Sequence, residues 1–102
     1  MARLEHLAKV IRSKNAGPFY LTLDILFGDR AAYDRVARAG AITAEKMAAL
    51  YRRPREHVQV HLHPNALAMK VSIVRPVPAG SLHDTDIYGA QQHVPLFAIE
   101  IP

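Results

Sequence analysis

Alternation of apolar and polar residues predicts three strands in the first three quarters of the chain. Every second residue from 19 to 27 is apolar, which is the period-two pattern of a strand with one buried face. The same alternation runs through residues 58–62 and 67–73. Because only Pro64-Asn65 and one neighbour on either side separate the second and third runs, they are predicted to form a hairpin.

Two helices are predicted between the first and second strands. Asp29 is suited to cap a helix that ends at Gly40, a residue that readily takes the left-handed conformation. Thr43 is suited to cap the next helix, and Pro54 prevents that helix from continuing. Residues 4–11 carry apolar side chains at helical spacing, which favours a short amphipathic helix, although a strand remains an alternative.

The order of elements favours an α+β fold. A strand, a helical pair, a hairpin, a short irregular piece and a last strand at Phe97, Ile99 and Ile101 follow one another along the chain. This order is typical of a ferredoxin-like sandwich, in which a mainly antiparallel four-stranded sheet carries helices on one face. At 102 residues, residues 1–102 are expected to form a single domain.

Composition narrows the classes of partner. The net charge is +4 and the isoelectric point about 9.8, which fits an anionic ligand or an acidic partner. The basic residues are scattered and no strand shows paired exposed aromatics, so nucleic acid is not expected. No apolar run is long enough to span a membrane, the N-terminal residues do not resemble a secretion signal, and cysteine is absent. A cytoplasmic location is therefore expected.

Two polar stretches, residues 12–17 and 84–93, are the strongest candidates for a site. If the first and third strands are antiparallel neighbours, the loop at 12–17 and the loop after residue 74 leave the sheet at the same edge. A carboxylate or phosphate would suit the cations and backbone amides gathered there, including a backbone nest around Ala16 and Gly17. The candidate ligand-binding residues are Arg12, Ser13, Lys14, Asn15, Gly17, Arg75, Thr85, Asp86, Tyr88 and Gln91.

A purely structural interpretation of the same residues is equally open. Asn15 and Gly17 would build a turn, and Arg12 would pair with Asp86 in a polar latch that binds nothing. Asp24, in the middle of the first strand, would be either the partner of a basic side chain on a neighbouring strand or an interface residue.

The remaining chemistry-bearing residues do not complete a site. Asp86 and His93 are candidate proton-transfer residues, but no nucleophile pairs with them in a recognisable motif. His61 and His63 lie on one face of a strand and are weak candidates for metal ligands, since a metal site usually needs at least three. No Walker or dinucleotide fingerprint is present, so no cofactor is predicted.

Four segments, residues 12–19, 43–51, 75–81 and 84–93, resemble a family of small bacterial proteins of unknown function. That family is similar in turn to the C-terminal ferredoxin-fold domain of the acyclic terpene utilisation (AtuA-like) proteins. In those proteins an Arg-Ser-Gly-Asp-Lys-Gly stretch precedes the first strand. Arg12, Ser13 and Gly17 correspond to that stretch here, whereas Lys14 and Asn15 depart from it.

The resemblance implies a small accessory subunit that pairs with a larger AtuA-like protein in the catabolism of organic or CoA-linked acids. Its polar loops would contribute to a shared anion site, and a small carboxylate would be the ligand. Two alternatives remain open. One is an independent small enzyme of the lyase or hydratase type acting on a carboxylic acid, and the other is a homo-oligomeric ligand-binding module assembled through the histidine face.

Overall fold

The computed structural model describes residues 2–16, 19–74, 96 and 99–102. Within this part, strands and helices combine in an α+β arrangement. Two short 3₁₀ turns, Arg55–His57 and Pro64–Ala66, flank the fourth strand. In chain order the strands and helices are β1 (Ala2–Arg3), α1 (Leu4–Leu7), β2 (Val10–Asn15), β3 (Tyr20–Leu26), α2 (Arg30–Ala39), α3 (Ala44–Tyr51), β4 (Val58–His63), β5 (Ala68–Val74) and β6 (Glu100–Ile101).

The main sheet has four strands in the order β2-β3-β5-β4, and every neighbouring pair is antiparallel. Because β3 and β4 are both antiparallel to β5, they run parallel to each other with β5 between them. The helices α2 and α3 make the connection from β3 to β4. This split crossover is consistent with the predicted ferredoxin-like sandwich, and the fold class is confirmed.

One face of the sheet packs against the helices. Leu23 and Ile25 of β3 and Val71 of β5 are completely buried, and they form one core with Val36 of α2 and Met47 of α3. These strand residues are the apolar half of the alternation seen in the sequence. The pattern therefore identifies correctly which face of each central strand packs against the helices.

The ends of α2 and α3 follow from local chemistry. The Asp29 carboxylate accepts a hydrogen bond from the Ala32 amide at 2.8 Å, and the Thr43 hydroxyl accepts one from the Lys46 amide at 3.2 Å. Each satisfies an amide that has no partner inside its helix. Gly40 ends α2 with a φ of 62°, and both caps and this glycine confirm the predicted boundaries.

The first segment differs from the predicted helix over residues 4–11. Helix α1 ends at Leu7, and Val10 and Ile11 already belong to β2. The Lys9 amide donates to the Leu26 carbonyl at 2.7 Å, and β2 then pairs with β3 along its whole length. Pairing with the edge of β3 satisfies backbone groups that a short helix would leave exposed, so tertiary context overrides the helical spacing.

The last strand also departs from expectation, because it does not join the main sheet. Glu100 and Ile101 of β6 pair with β1 instead, with Ala2 opposite Ile101. The position beside β3 that the last strand of a ferredoxin-like sandwich would occupy is filled by β2. No helix in the described part of the chain is both long and apolar enough to cross a membrane.

Candidate functional site

The sheet face opposite the helices is polar. Alternate residues of a strand share a face, and residues paired across strands lie on the same face. The register therefore places one polar group after another across all four strands. We call this surface the open face. Its polar members are Arg12, Lys14, Thr22, Asp24, Gln59, His61, His63, Lys70 and Ser72.

One row of the open face has an acidic or basic side chain on each of the four strands. Arg12 pairs with Asp24, Asp24 with Lys70, and Lys70 with His61. Arg12 Nε lies 3.4 Å from Asp24 Oδ2. Asp24 is only 9% exposed, whereas Arg12, Lys70 and His61 are exposed. A nearly buried carboxylate thus lies between two basic side chains, which confirms one of the two roles considered for Asp24.

The adjacent row is uncharged apart from one lysine. Lys14 pairs with Thr22, Thr22 with Ser72, and Ser72 with Gln59. The Thr22 hydroxyl donates to the Lys14 carbonyl oxygen at 3.3 Å. This leaves the hydroxyl oxygen as an acceptor. Exposed Lys14 and Gln59 therefore flank two short hydroxyl side chains on the inner strands, of which Thr22 is buried and Ser72 is partly exposed.

The charge balance of the open face is suited to an anion. Arg12, Lys14 and Lys70 contribute three cationic groups, and Asp24 is the one carboxylate among the polar members. A guanidinium offers a planar fork to a carboxylate or phosphate, and an ammonium offers a point charge. The face therefore has three cationic groups and the Ser72 hydroxyl within one or two strand spacings of each other, an arrangement that can hold a small oxyanion.

The predicted meeting of strand ends is present in the sheet. Asn15 pairs with Leu21, and Tyr20 pairs with Val74, so the end of β2, the start of β3 and the end of β5 lie at one edge. β3 and β5 are antiparallel neighbours, as the sequence predicted. The other candidates at this edge lie outside the described residues: Gly17, Arg75, Thr85, Asp86, Tyr88, Gln91 and His93.

The predicted loop at residues 12–17 is wrong for its first four residues, which belong to strand β2. Arg12 and Lys14 consequently lie on the open face, while Ser13 pairs with Leu23 on the face toward the helices. The Ala16 amide does not take the predicted role in a backbone nest. It donates to the Tyr20 carbonyl at 2.9 Å and closes the β2–β3 hairpin. Arg12 lies beside Asp24 in the middle of the β2–β3 pair and not where the strand ends meet.

The histidines of β4 lie side by side. His61 and His63 are exposed, and their ring centroids are 6.5 Å apart. Among the described residues, no group of three or more histidine, cysteine or acidic side chains is arranged to hold a metal ion. His57 is engaged differently: its Nδ1 lies 2.9 Å from Arg53 Nη2, and it accepts that bond because a guanidinium only donates.

Four polar residues of the open face were missed as site candidates from the sequence: Thr22, Gln59, Lys70 and Ser72. The available signal was the polar half of each alternating strand, since a strand with one wet face exposes every second residue. Which of these residues become neighbours depends on the register between strands, which pairs Thr22 with Ser72, 50 residues further along the chain.

A separate cleft of about 270 Å³ lies between α3 and the last strand. Ala41, Met47, Leu50 and Ile99 give it an apolar lining, with Lys46 and Glu100 as its charged groups. It shares no residue with the open face. Its lining lacks the clustered polar groups that fix a ligand's orientation, so the open face is the better candidate site.

Comparison with known proteins identifies the family of this chain but indicates no activity. A family model described as a domain of unknown function, DUF4387, matches residues 4–100. Neither the curated proteins nor the solved structures gave a significant match. The matched region includes the whole main sheet, α2, α3 and every polar residue of the open face. The chain therefore belongs to the DUF4387 family.

Proposed function

We propose that this protein is a small accessory subunit that binds a larger protein and contributes the open face to a shared anion site. The larger protein is of the AtuA-like type, as the resemblance of the polar segments implies. The pair acts in the catabolism of organic or CoA-linked acids, and the anion is the carboxylate of such an acid. The role of the present chain is binding and orientation.

The row Arg12–Asp24–Lys70 is the observation that carries this proposal. Arg12 already pairs with the nearly buried carboxylate, and exposed ion pairs contribute little to stability, so folding gives no strong reason for the further cations Lys14 and Lys70 on the same face. A ligand carboxylate or an acidic partner surface supplies the missing negative charge. Asp24 holds the guanidinium of Arg12 in place, which reduces the entropy lost when that guanidinium binds an anion.

The strand ends at the Asn15–Tyr20–Val74 edge support a shared site rather than a self-contained one. β5 ends at Val74, opposite Tyr20 at the start of β3, and the second polar stretch, residues 84–93, begins ten residues later in the sequence. A partner seated on the open face would contact both the cationic rows and this edge. Binding would then bury the cations and strengthen their attraction to an anion, because screening by water falls.

Co-purification with the larger protein tests the partner. The two chains are expressed together, and the mass of the complex is measured by light scattering after gel filtration. The double variant Lys14→Glu/Lys70→Glu reverses two charges of the open face and is expected to weaken the complex at least about tenfold. Lys46→Glu, an exposed lysine on α3, is the matched control and should leave the complex intact. Two separate species for the native pair would contradict the proposal.

Titration calorimetry tests the anion site, with acetate, malonate and inorganic phosphate as probes for the complex. Arg12→Gln and Lys70→Gln are expected to reduce the affinity for a carboxylate by about tenfold each, as is typical when a charge-assisted hydrogen bond is lost. Lys46→Gln should have no effect. Equal affinity in native and Arg12→Gln complexes would exclude the open face as the anion site, even if the complex itself forms.

A further inference from the structure

The outer edge of β4 carries unpaired backbone groups. β4 is the last strand in the order β2-β3-β5-β4, and no other strand in the described part of the chain pairs with its outer side. An edge strand presents a row of amide and carbonyl groups that can pair with another strand. Backbone polar groups have a strong tendency to find such partners.

The sequence of β4 lacks the features that normally prevent edge pairing. Natural edges are protected by charged residues, proline or bulges. Val58–His63 contains no acidic residue, lysine, arginine or proline, whereas the opposite edge strand β2 carries Arg12 and Lys14. Pairing between two β2 edges would bring these cations together. Pairing between two β4 edges brings together no permanent charge.

Two apolar residues of β4 are incompletely covered on the side that faces the helices. Leu62 is 47% exposed, and Val60 is only partly buried, whereas Val58 is 1% exposed. All three belong to the apolar face of the sheet. The hydrophobic layer of the sheet therefore reaches the edge of the molecule at Val60 and Leu62 and is uncovered there.

We propose that β4 pairs with β4 of a second copy of this chain, antiparallel and centred on His61, to form one continuous eight-stranded sheet. A two-fold axis perpendicular to the sheet keeps the helices of both copies on the same side, so apolar residues face apolar residues. In this register Val60 of each copy lies opposite Leu62 of the other. Both incompletely covered side chains thereby gain an apolar neighbour.

Pairings centred one residue to either side of His61 do not place Val60 opposite Leu62. A pairing centred on Val60 places Leu62 opposite Val58, which is already buried in its own core. A pairing centred on Leu62 runs beyond His63 into the 3₁₀ turn Pro64–Ala66, and proline has no amide to donate. The exposure of Leu62 and the length of β4 therefore both favour the pairing centred on His61.

The inference goes beyond the proposed function, because it concerns the edge of β4 and not the open face. The two open faces become continuous, with His61 opposite its counterpart and Gln59 opposite His63 of the other copy. Lys70, the neighbour of His61 on β5, is repeated on either side of the axis. The assembly would therefore present the cationic rows twice on one surface.

Light scattering after gel filtration, at micromolar concentrations of the chain, tests the assembly. The native chain is expected at twice its mass of 11.3 kDa. Leu62→Lys is expected to be a monomer, because two lysines would be buried among apolar side chains. Val10→Lys changes an exposed apolar residue on the other edge strand and should remain a dimer. A monomeric native chain, or a Val10→Lys monomer with a Leu62→Lys dimer, would overturn the proposal.

Single cysteines test the register independently of stability, because the chain contains no cysteine. Residues directly opposite in an antiparallel pair have Cα atoms about 4.5–5.5 Å apart, within the range of about 4.4–6.8 Å for a disulfide. His61→Cys should therefore form a covalent dimer on mild oxidation. Gln59→Cys should not, since its counterpart lies four residues away along the partner strand. Cross-linking of Gln59→Cys alone would overturn the centre at His61, and cross-linking of neither would overturn the pairing.

Discussion

Arg12 Nε lies 3.4 Å from Asp24 Oδ2 across the β2–β3 pair, but the two side chains differ greatly in exposure. The Arg12 side chain is 61% exposed and that of Asp24 only 13%. Water can replace Asp24 as a partner of the exposed guanidinium. Water cannot as easily replace Arg12 as a partner of the buried carboxylate, so the two residues depend on each other unequally.

This inequality predicts that Arg12→Gln destabilises the fold more than Asp24→Asn does. Removal of the arginine leaves a nearly buried carboxylate with less compensation, and we expect a loss of about 1 kcal/mol in the free energy of unfolding. Removal of the carboxylate leaves a guanidinium that water solvates, at a smaller cost. Urea unfolding of both variants measures the difference, with Lys46→Gln as the control. A larger loss for Asp24→Asn would contradict the argument.

The C-terminal ends of α2 and α3 predict that two substitutions change the stability of the fold in opposite directions. Both end in the left-handed conformation, at Gly40 with φ 62° and at Arg52 with φ 57°. Gly40→Ala should cost about 1 kcal/mol, and Arg52→Gly should stabilise by roughly 0.5–1 kcal/mol, because only glycine adopts this conformation without steric cost.

A methyl group at Gly40 would meet no atom within 4 Å. The cost of Gly40→Ala therefore comes from the backbone alone, which makes thermal unfolding of the two variants a direct comparison. If both substitutions shifted the unfolding temperature in the same direction, the left-handed conformation would not be the cause.

The N-cap of α2 predicts a graded effect at Asp29. Asp29→Ala removes the acceptor of the Ala32 amide, and we expect a loss of about 1 kcal/mol in stability. Asp29→Asn keeps an acceptor in the same position and should lose much less. Chemical denaturation distinguishes the two variants. Similar losses for alanine and asparagine would mean that the charge, rather than the hydrogen bond, matters at this position.

Tyr51 predicts a fall in stability at high pH. Burial raises the pKa of the Tyr51 phenol above its ordinary value of 10.0, so the folded chain holds this proton more tightly than the unfolded chain does. The contribution of Tyr51 is therefore complete below pH 10 and is lost as the pH rises toward the raised pKa. Unfolding midpoints on either side of pH 10 measure this loss.

Tyr51→Phe is the matched control, because it removes the ionisable group and keeps the ring. Its stability should decline less than that of the native chain above pH 10. Ultraviolet titration provides a second readout, since one fewer tyrosine should ionise late in the variant. Parallel declines of the two proteins would show that other groups govern the alkaline transition.

Central elements were predictable from sequence because their signals are local. The alternation in residues 19–27 and 67–73 identifies the faces of β3 and β5 that pack against the helices, and Asp29 and Thr43 identify the starts of two helices. Each signal depends on residues a few positions apart. The fold class follows from the order of such elements along the chain.

The N-terminal strand was not predictable in the same way. Leu4, Leu7, Ala8 and Ile11 have helical spacing, yet only Leu4–Leu7 is a helix. The next strand, β2, is defined by its pairing with β3, and the sequence of β2 contains no local signal of that pairing. A pattern of apolar positions records which side chains are buried, but not which backbone is the partner.

The candidate site was predictable only in part for the same reason. Arg12 and Lys14 were identified by their place in a polar stretch, but Lys70 and Ser72 become relevant only through the register of β5 against β3. Polar residues of an alternating strand are individually unremarkable. Their significance comes from neighbours that lie far away in the chain.

The pairing of Ala2 with Ile101 places the two ends of the described chain side by side. A short linker between them would give a closed ring, and a cut between Asn15 and Tyr20 would open it again. The resulting chain would begin at β3, pass through α2, α3, the β4–β5 hairpin, β6, β1 and α1, and end with β2. That circular permutant has the strand order of an ordinary ferredoxin-like sandwich, so this sheet differs from it in where the chain is cut.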